Sequence, residues 1–428
     1  MKDKIVLIDG CRTPFLKSET DFIDTMTYEL GQLAISGLIN KTGIDPNIVD
    51  SVIMGCVIST LKTSNLAREA ALSAGIPNST PCHTVSQACI SANRAIATAV
   101  AEIATGQSSI VIAGGADSAS ETPIGYKKKM RKKLMKGNKI RSTADMLKFA
   151  LSFRIKDFLP EIPDISEFTT KKTMGQDCDI MVAKHNIKRE DQDSYAIRSH
   201  NYAEQAWENG HHQKEVVGVQ IDPKFNMIKK DNGIRSGSKT EKLAKLRPAF
   251  DKKHGSLTAA NSSFLTDGSA ACLLMTESMA KKLKLVPKAE IIDYCFTGQR
   301  LEDELLLGPA FAMSKVLKKT GLNLNDIDVL EIHEAFAGQV LTNIKCLNDE
   351  GFCKERLNRD EAIGEIDMQK VNLWGGSLSI GHPFGATGAR LLTTSANRLI
   401  EENGKYAMLS ACAAGAHGHA MIIKKYEA

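Results

Sequence analysis

Apolar positions along this chain follow two rhythms that keep changing places. The run Ile5–Ile8 in "MKDKIVLIDGCRTPF" is of strand length, whereas after Cys89 in "VSQACISANRAIATAV" the apolar Ile90, Ala95, Ile96 and Val100 fall at helical spacings. That helix runs into a strand, "SIVIAGG", and the same order returns in "GATGARLLTTSANRLIEENGKYAMLSACAAG". Two further stretches, "KTGIDPNIVDSVIMG" (41–55) and "KTGLNLNDIDVLEIH" (319–333), align without a gap, each reading as a helix end, a turn and a buried strand. A match of that length between distant parts of one chain points to a duplicated domain. Strands alternating with helices predict an α/β fold with parallel, doubly covered sheet, its sites at strand-to-helix turns. From about Glu121 to Ala249 the pattern breaks into Lys-, Asp- and Ser-rich sequence with amphipathic helices such as "DQDSYAIRSHNYAEQAWENG". This reads as an insertion, so the expected organisation is one half over 1–120 plus 250–278, an inserted domain over 121–249, and a second half over 279–428.

Composition narrows the class. At 428 residues, with 25% charged and 43% hydrophobic residues, the chain is an ordinary globular protein of two or three domains. A net charge of +5 and 5% aromatics, without interleaved aromatic and basic residues, argue against a nucleic-acid partner. The ten cysteines form neither C-x-x-C pairs nor a regular framework, so a reducing compartment, the cytoplasm, is expected. The opening apolar run is too short for a signal peptide, and no run reaches the roughly 20 residues of a membrane span.

Three segments carry candidate chemistry. Cys89 sits just before a predicted helix, where unsatisfied N–H groups and the positive end of the dipole favour thiolate; the plain alternative is a packing cysteine. His382, between Gly381 and Pro383 in "WGGSLSIGHPFGATGAR", occupies the matching turn of the second half and could serve Cys89 as base. The glycines around it match neither a phosphate-binding loop nor G-x-G-x-x-G. Cys412 ends a predicted buried strand in "SACAAGAHGHAMII", where His417 and His419 lack a third ligand and argue weakly for zinc. "HEAF" fails as H-E-x-x-H because position 337 is Ala, leaving His333 and Glu334 at a strand end, available to the same pocket.

These motifs, taken in order with "CRTPF", "IAGGADS", "TMGQDCD", "DNGIR", "AKLRPAFD", "HGSLTAANSSFLTDGSAA" and "LLLGPA", resemble the thiolase family nearly end to end, most closely its fatty-acid β-oxidation type. The resemblance implies a thiolase fold: two duplicated α/β halves in α-β-α-β-α layers, with an inserted loop domain that binds CoA. It implies cleavage of 3-ketoacyl-CoA by CoA, with Cys89 as nucleophile, His382 and Cys412 as acid/base groups, and His333 holding a water. It points to Met174, Ser263, Ala335 and Phe336 along the pantetheine and to Arg235 toward the nucleotide phosphates. It further implies CoA as co-substrate without a permanent cofactor or metal, a homodimer or homotetramer, and a hydratase/dehydrogenase partner subunit.

Two positions depart from the common pattern. His333 replaces the usual Asn, as it does in the β-oxidation branch, and Ala416 stands where a second glycine is usual. If that position needs positive φ, alanine is strained there. Rival readings are a short-chain acetoacetyl-CoA thiolase, a β-ketoacyl synthase, which Cys412 argues against, and a non-enzymatic scaffold, which the intact Cys89, His382 and Cys412 argue against. Finally, Lys127–Lys156 holds twelve Lys or Arg against the single acid Asp145, beside apolar Met146, Leu147, Phe149, Leu151 and Phe153. This suits a peripheral contact with a membrane surface or a partner's groove, or else a solvated face that attracts CoA.

Overall fold

The computed structural model describes residues 3–161, 163, 166–221 and 225–427. The first half runs through β1 (Ile5–Arg12), α1 (Thr27–Thr42), β2 (Ser51–Gly55), β3 (Cys82–Val85), α2 (Ser91–Ala104) and β4 (Ile110–Asp117). The chain then leaves the sheet for an excursion holding α3 (Lys128–Gly137), α4 (Thr143–Leu151), α5 (Met174–Lys184) and α6 (Arg189–Glu208), and returns as β5 (Thr266–Thr276). The second half repeats the series as β6 (Ala289–Gly298), α7 (Gly308–Thr320), β7 (Val329–Ile332), α8 (Ala337–Asn348), α9 (Thr387–Glu401), β8 (Tyr406–Ala413) and β9 (His417–Lys425).

The aligned stretches fold alike. Both α1 and α7 stop at a glycine in the left-handed region, Gly43 (φ 67) and Gly321 (φ 70), whose N–H bonds back to Ile39 and Leu317. A 3₁₀ turn follows in each, Pro46–Ile48 and Leu324–Asp326, and then the strand β2 or β7. The strands line up as β7-β8-β9-β6-β1-β5-β4-β2-β3, so the halves carry the same order in one continuous sheet. They meet where Val6 and Leu7 pair with Glu290 and Ala289.

The expected parallel sheet is corrected to a mixed one. Strands β2, β3 and β4 run parallel, as do β7 and β8, but β5 and β9 are antiparallel to both of their neighbours. The reason is connection length. Residues 414–416 alone join β8 to β9, too few for the crossover that parallel pairing needs.

Alternating strand residues sort into separate layers. Val52 and Met54, with Val6, Ile8 and Ile112, pack on Leu30, Ala34, Ile35 and Leu38 of α1. Ile53, Leu7 and Val111 face the other way, onto α2 and α9, whose far sides meet Val329, Ala407, Leu409 and Met421 of the second half. Leu330, Ile332, Met408 and Ile422 then cover α7 and α8. This is an α-β-α-β-α arrangement with α2 and α9 in its centre. The two central helices touch at their first turns, and there Gly388 is required: a Cβ on it would lie 2.6 Å from the backbone N of Asn93. The close approach brings the turn that carries Cys89 next to the turn that carries His382.

Candidate active site

Cys89 lies two residues before α2, following Ala88 in the left-handed region (φ 47). The Ser91 hydroxyl donates to the Ala88 carbonyl at 2.7 Å and holds this turn. The residue is half-buried and lines a cavity of about 700 Å³. Enclosure by protein pushes the thiol up to about 11, against the pull of the backbone N–H groups of Ala414 and of Cys89 itself, which are directed at it. The helix end therefore does not make a resting thiolate, as its position suggested. Desolvation wins, and the thiol needs a base.

His382 is buried, its backbone N–H on the Thr266 hydroxyl (3.0 Å) and its Nδ1 2.7 Å from the Thr387 hydroxyl. Thr387, in the first turn of α9, donates its single hydrogen to the Pro383 carbonyl at 3.0 Å. It must then accept Nδ1–H from the imidazole, which leaves Nε2 bare. Burial, with Arg390 nearby, lowers the imidazole to about 3, so the ring is neutral and Nε2 is a proton acceptor.

His333 sits behind it, ring centroids 4.0 Å apart. Its Nδ1 is 2.9 Å from the Ser377 hydroxyl, which also accepts from Arg390 Nη2 at 3.4 Å. The hydroxyl hydrogen of Ser377 is then left for Nδ1, and Nε2 of His333 carries the ring hydrogen. Burial, His382 and Arg390 hold His333 well below the usual imidazole range. The two rings thus offer one acceptor and one donor, and neither Nε2 has a partner among the described residues. Arg390 is itself buried and paired with Glu331 at 3.2 Å.

Cys412 is buried near the end of β8, its thiol raised by burial and by its neighbour Cys89. The loop that follows places Gly415 (φ 78) and Ala416 (φ 54) both in the left-handed region, so the alanine does take the conformation a glycine would prefer. That costs about 1–2 kcal/mol. Its methyl is fully buried, worth about 0.8 kcal/mol, and glycine would lose about 0.5–1 kcal/mol more backbone entropy on folding. The terms cancel, and Ala416→Gly is expected to change unfolding free energy by less than about 0.5 kcal/mol in urea titration. A gain well above 1 kcal/mol would show that the strain is not offset.

Met174 lines the Cys89 cavity, together with Val57, Ile58, Leu265, Phe384 and Ala414. Arg235 does not; it lines a separate recess of about 170 Å³ with His200, Lys242, Ser262 and Phe264, and its guanidinium has no partner among the described residues. The segment from Ser262 to Leu265 links the two spaces, Ser262 and Phe264 facing the recess and Leu265 the cavity. Between them Ser263 donates its N–H to the Ala335 carbonyl at 3.0 Å. Phe336 is buried with its ring edge-on to Phe250 at 5.7 Å, so its side chain is engaged in packing.

Glu334 is not available to the pocket, contrary to the reading of "HEAF". It accepts from Tyr195, Ser199, Asn372 and the Leu378 N–H, tying α6 to the second half. His419 is held in the core by Asn93 at 3.0 Å and His417 faces Gln87. No group of three His, Cys, Asp or Glu is placed to hold a metal among the described residues. Sequence reasoning missed Thr387, Ser377 and Asp117. Asp117 ends β4 fully buried, accepting N–H groups from Val57, Ile58 and Gly385, and so fixes two walls of the cavity to each other. For Thr387 a signal was present: a hydroxyl five residues after a histidine, in the first turn of a helix.

A duplicated α-β-α-β-α fold with a cysteine and a histidine at the two central helix ends, and a second cysteine on a hairpin beside them, defines a class. The chain belongs to the thiolase family: residues 5–278 match "Thiolase, N-terminal domain" and residues 285–425 "Thiolase, C-terminal domain". It is an acyltransferase of that family. It is 48% identical over 422 residues, 99% of this chain and 88% of the relative, to the mitochondrial trifunctional enzyme subunit beta of Bos taurus. It is 41% identical to a 3-ketoacyl-CoA thiolase of Yersinia enterocolitica, covering 99% of this chain and 97% of that one. Among solved structures it is similar to human mitochondrial 3-ketoacyl-CoA thiolase in complex with CoA, with TM-score 0.85, 29% identity, and coverage of 99% and 98%.

Proposed function

We propose that the chain cleaves 3-ketoacyl-CoA with CoA, through an acyl group carried on Cys89, in fatty-acid β-oxidation. The observation that carries this reading is the placement of the Cys89 thiol against the backbone N–H groups of Ala414 and Cys89, with the bare Nε2 of His382 on the adjoining turn. His382 Nε2 takes the thiol proton, and the sulfur attacks the 3-keto carbon, whose oxygen gathers charge toward the Ala414 and Cys89 N–H groups. The C2–C3 bond then breaks, and its electron pair leaves as the enolate of acetyl-CoA. The thioester oxygen of that enolate is stabilised by protonated His382 and by a water on the Nε2–H of His333. Cys412 gives its proton to the enolate carbon, then takes one from the incoming CoA thiol, which collects the acyl group. Sulfur suits the carrier role because exchange between thioesters is nearly thermoneutral.

For CoA, Met174 stands on the cavity wall, Ser263, Ala335 and Phe336 lie on the way out, and Arg235 has a free guanidinium for phosphate. The apolar lining of the 700 Å³ cavity favours long acyl chains over acetoacetyl alone. A kinetic series from four to sixteen carbons tests both levels: cleavage at any length supports the thiolase reading, and kcat/KM rising with length supports the long-chain one. No cleavage at any length would refute the proposal.

The chain works as a homodimer or homotetramer in this reading, β3 ending the sheet with one edge unpaired among the described residues. The segment Lys127–Lys156 forms a helical hairpin, α3 and α4, clipped by Lys133 to Asp157 at 2.6 Å. Met135, Met146, Leu147, Leu151 and Ile155 are exposed on it. Apolar side chains beside unpaired cations fit an anionic bilayer. Lys127, Lys128, Lys132 and Lys136 have no salt-bridge partner among the described residues. Replacing these four by Gln is expected to weaken binding to anionic vesicles at least about tenfold at low salt. Unchanged vesicle binding with lost capture of a hydratase/dehydrogenase subunit would favour the partner instead, and a collapse of CoA affinity would favour an electrostatic funnel.

A further inference from the structure

The wall of the Cys89 cavity that carries Met174 is built by the excursion, and one of its side chains reaches across to the catalytic hairpin. The segment 166–173 is closed on itself: Ser166 and Thr173 form a bridge, Glu167 donates its N–H to the Lys172 carbonyl (2.8 Å), and Lys171 donates back to the Glu167 carbonyl (2.9 Å). Thr173 and Gln176 cap α5 reciprocally, so the turn is rooted in that helix. From this turn the Glu167 carboxylate accepts the Gly415 N–H at 2.8 Å. Gly415 follows Ala414, whose own N–H is directed at the Cys89 sulfur. A carboxylate on a backbone N–H is among the stronger hydrogen bonds a protein makes. Around it the cavity is apolar, and Phe168, next in sequence, stands 83% exposed at the cavity's rim with the Lys171 ammonium 3.9 Å from its ring.

We propose that Glu167 is a chain-length-determining latch, pinning the 166–173 turn to the β8–β9 loop so that the exposed Phe168 is held at the cavity's rim, where a long acyl chain would cover it. This rests on the thiolytic reading above. Every methylene added to the substrate needs apolar surface to leave water, whereas an acetoacetyl group brings few to place there. With the latch released, long substrates lose that contact and short ones have little to lose.

The test compares kcat/KM for four-carbon and sixteen-carbon 3-ketoacyl-CoA in the wild-type enzyme, Glu167→Ala, Glu167→Asp and Glu167→Gln. In Glu167→Ala the sixteen-to-four ratio is expected to fall at least about tenfold, mostly through KM of the long substrate. Glu167→Asp, too short to reach Gly415, should fall with it and carries the test if the alanine variant does not fold. Glu167→Gln keeps an oxygen for the Gly415 N–H and should hold the ratio within about threefold. An unchanged ratio in the alanine and aspartate variants overturns the latch. An equal drop in kcat at both lengths also overturns it, placing Glu167 in the alignment of the hairpin with Cys89. Failure of the wild-type enzyme on both substrates would refute the thiolytic reading instead.

Discussion

Cys89→Ala is expected to lower thiolytic turnover by at least about four orders of magnitude while leaving the fold and CoA binding intact. The side chain is small and opens on the cavity, so its loss leaves no large void and no unpaired charge. What disappears is the sulfur that faces the backbone N–H groups of Ala414 and Cys89, on the turn packed beside the one that carries His382. Cys412 is not expected to take over, because burial and its neighbour Cys89 push its thiol well above the usual range. Residual turnover above one per cent of wild type would show that the acyl group has another carrier.

The second large effect falls on the other cysteine. Cys412→Ser is expected to permit acylation of Cys89 but to slow exchange of the acetyl-CoA α-protons by about 10²–10⁴-fold. A serine hydroxyl fills nearly the same volume and is a far weaker acid than a thiol, so the change tests proton transfer and not packing. Burial already raises the Cys412 thiol, which makes it a reluctant acid at rest; the charge that develops on the enolate is what draws its proton. Exchange at near-wild-type rate in this variant would move the acid role to His382.

The duplication could be read in the sequence because its signals are local: a glycine that must take positive φ at Gly43 and Gly321, a short turn, then a run of apolar residues. Cys89 and His382 could be placed by the same logic, each in a turn just ahead of a helix. Other features depend on distance through space. Strand direction followed from the three-residue β8–β9 loop, which the periodicity of each strand does not report. The helix end expected to favour thiolate at Cys89 is opposed by burial, which pushes the thiol up to about 11 and which the local sequence does not report. Thr387 and Ser377 look like ordinary hydroxyls in sequence; their value lies in facing Nδ1 of His382 and of His333, the one to accept a hydrogen and the other to give it. Met174 and Arg235, assigned to the pantetheine and to the nucleotide phosphates of one ligand, line two spaces linked by the Ser262–Leu265 segment, a separation that the sequence does not report.

The central claim is that Cys89 carries the acyl group, and one measurement addresses it directly. The enzyme is mixed with a long-chain acyl-CoA, quenched in acid to preserve thioesters, digested, and its peptides are mapped by mass spectrometry. The account predicts one acyl mass per chain on the peptide containing Cys89, discharged when free CoA is added before the quench. An acyl group on Cys412, or no adduct on either cysteine under turnover conditions, would contradict it.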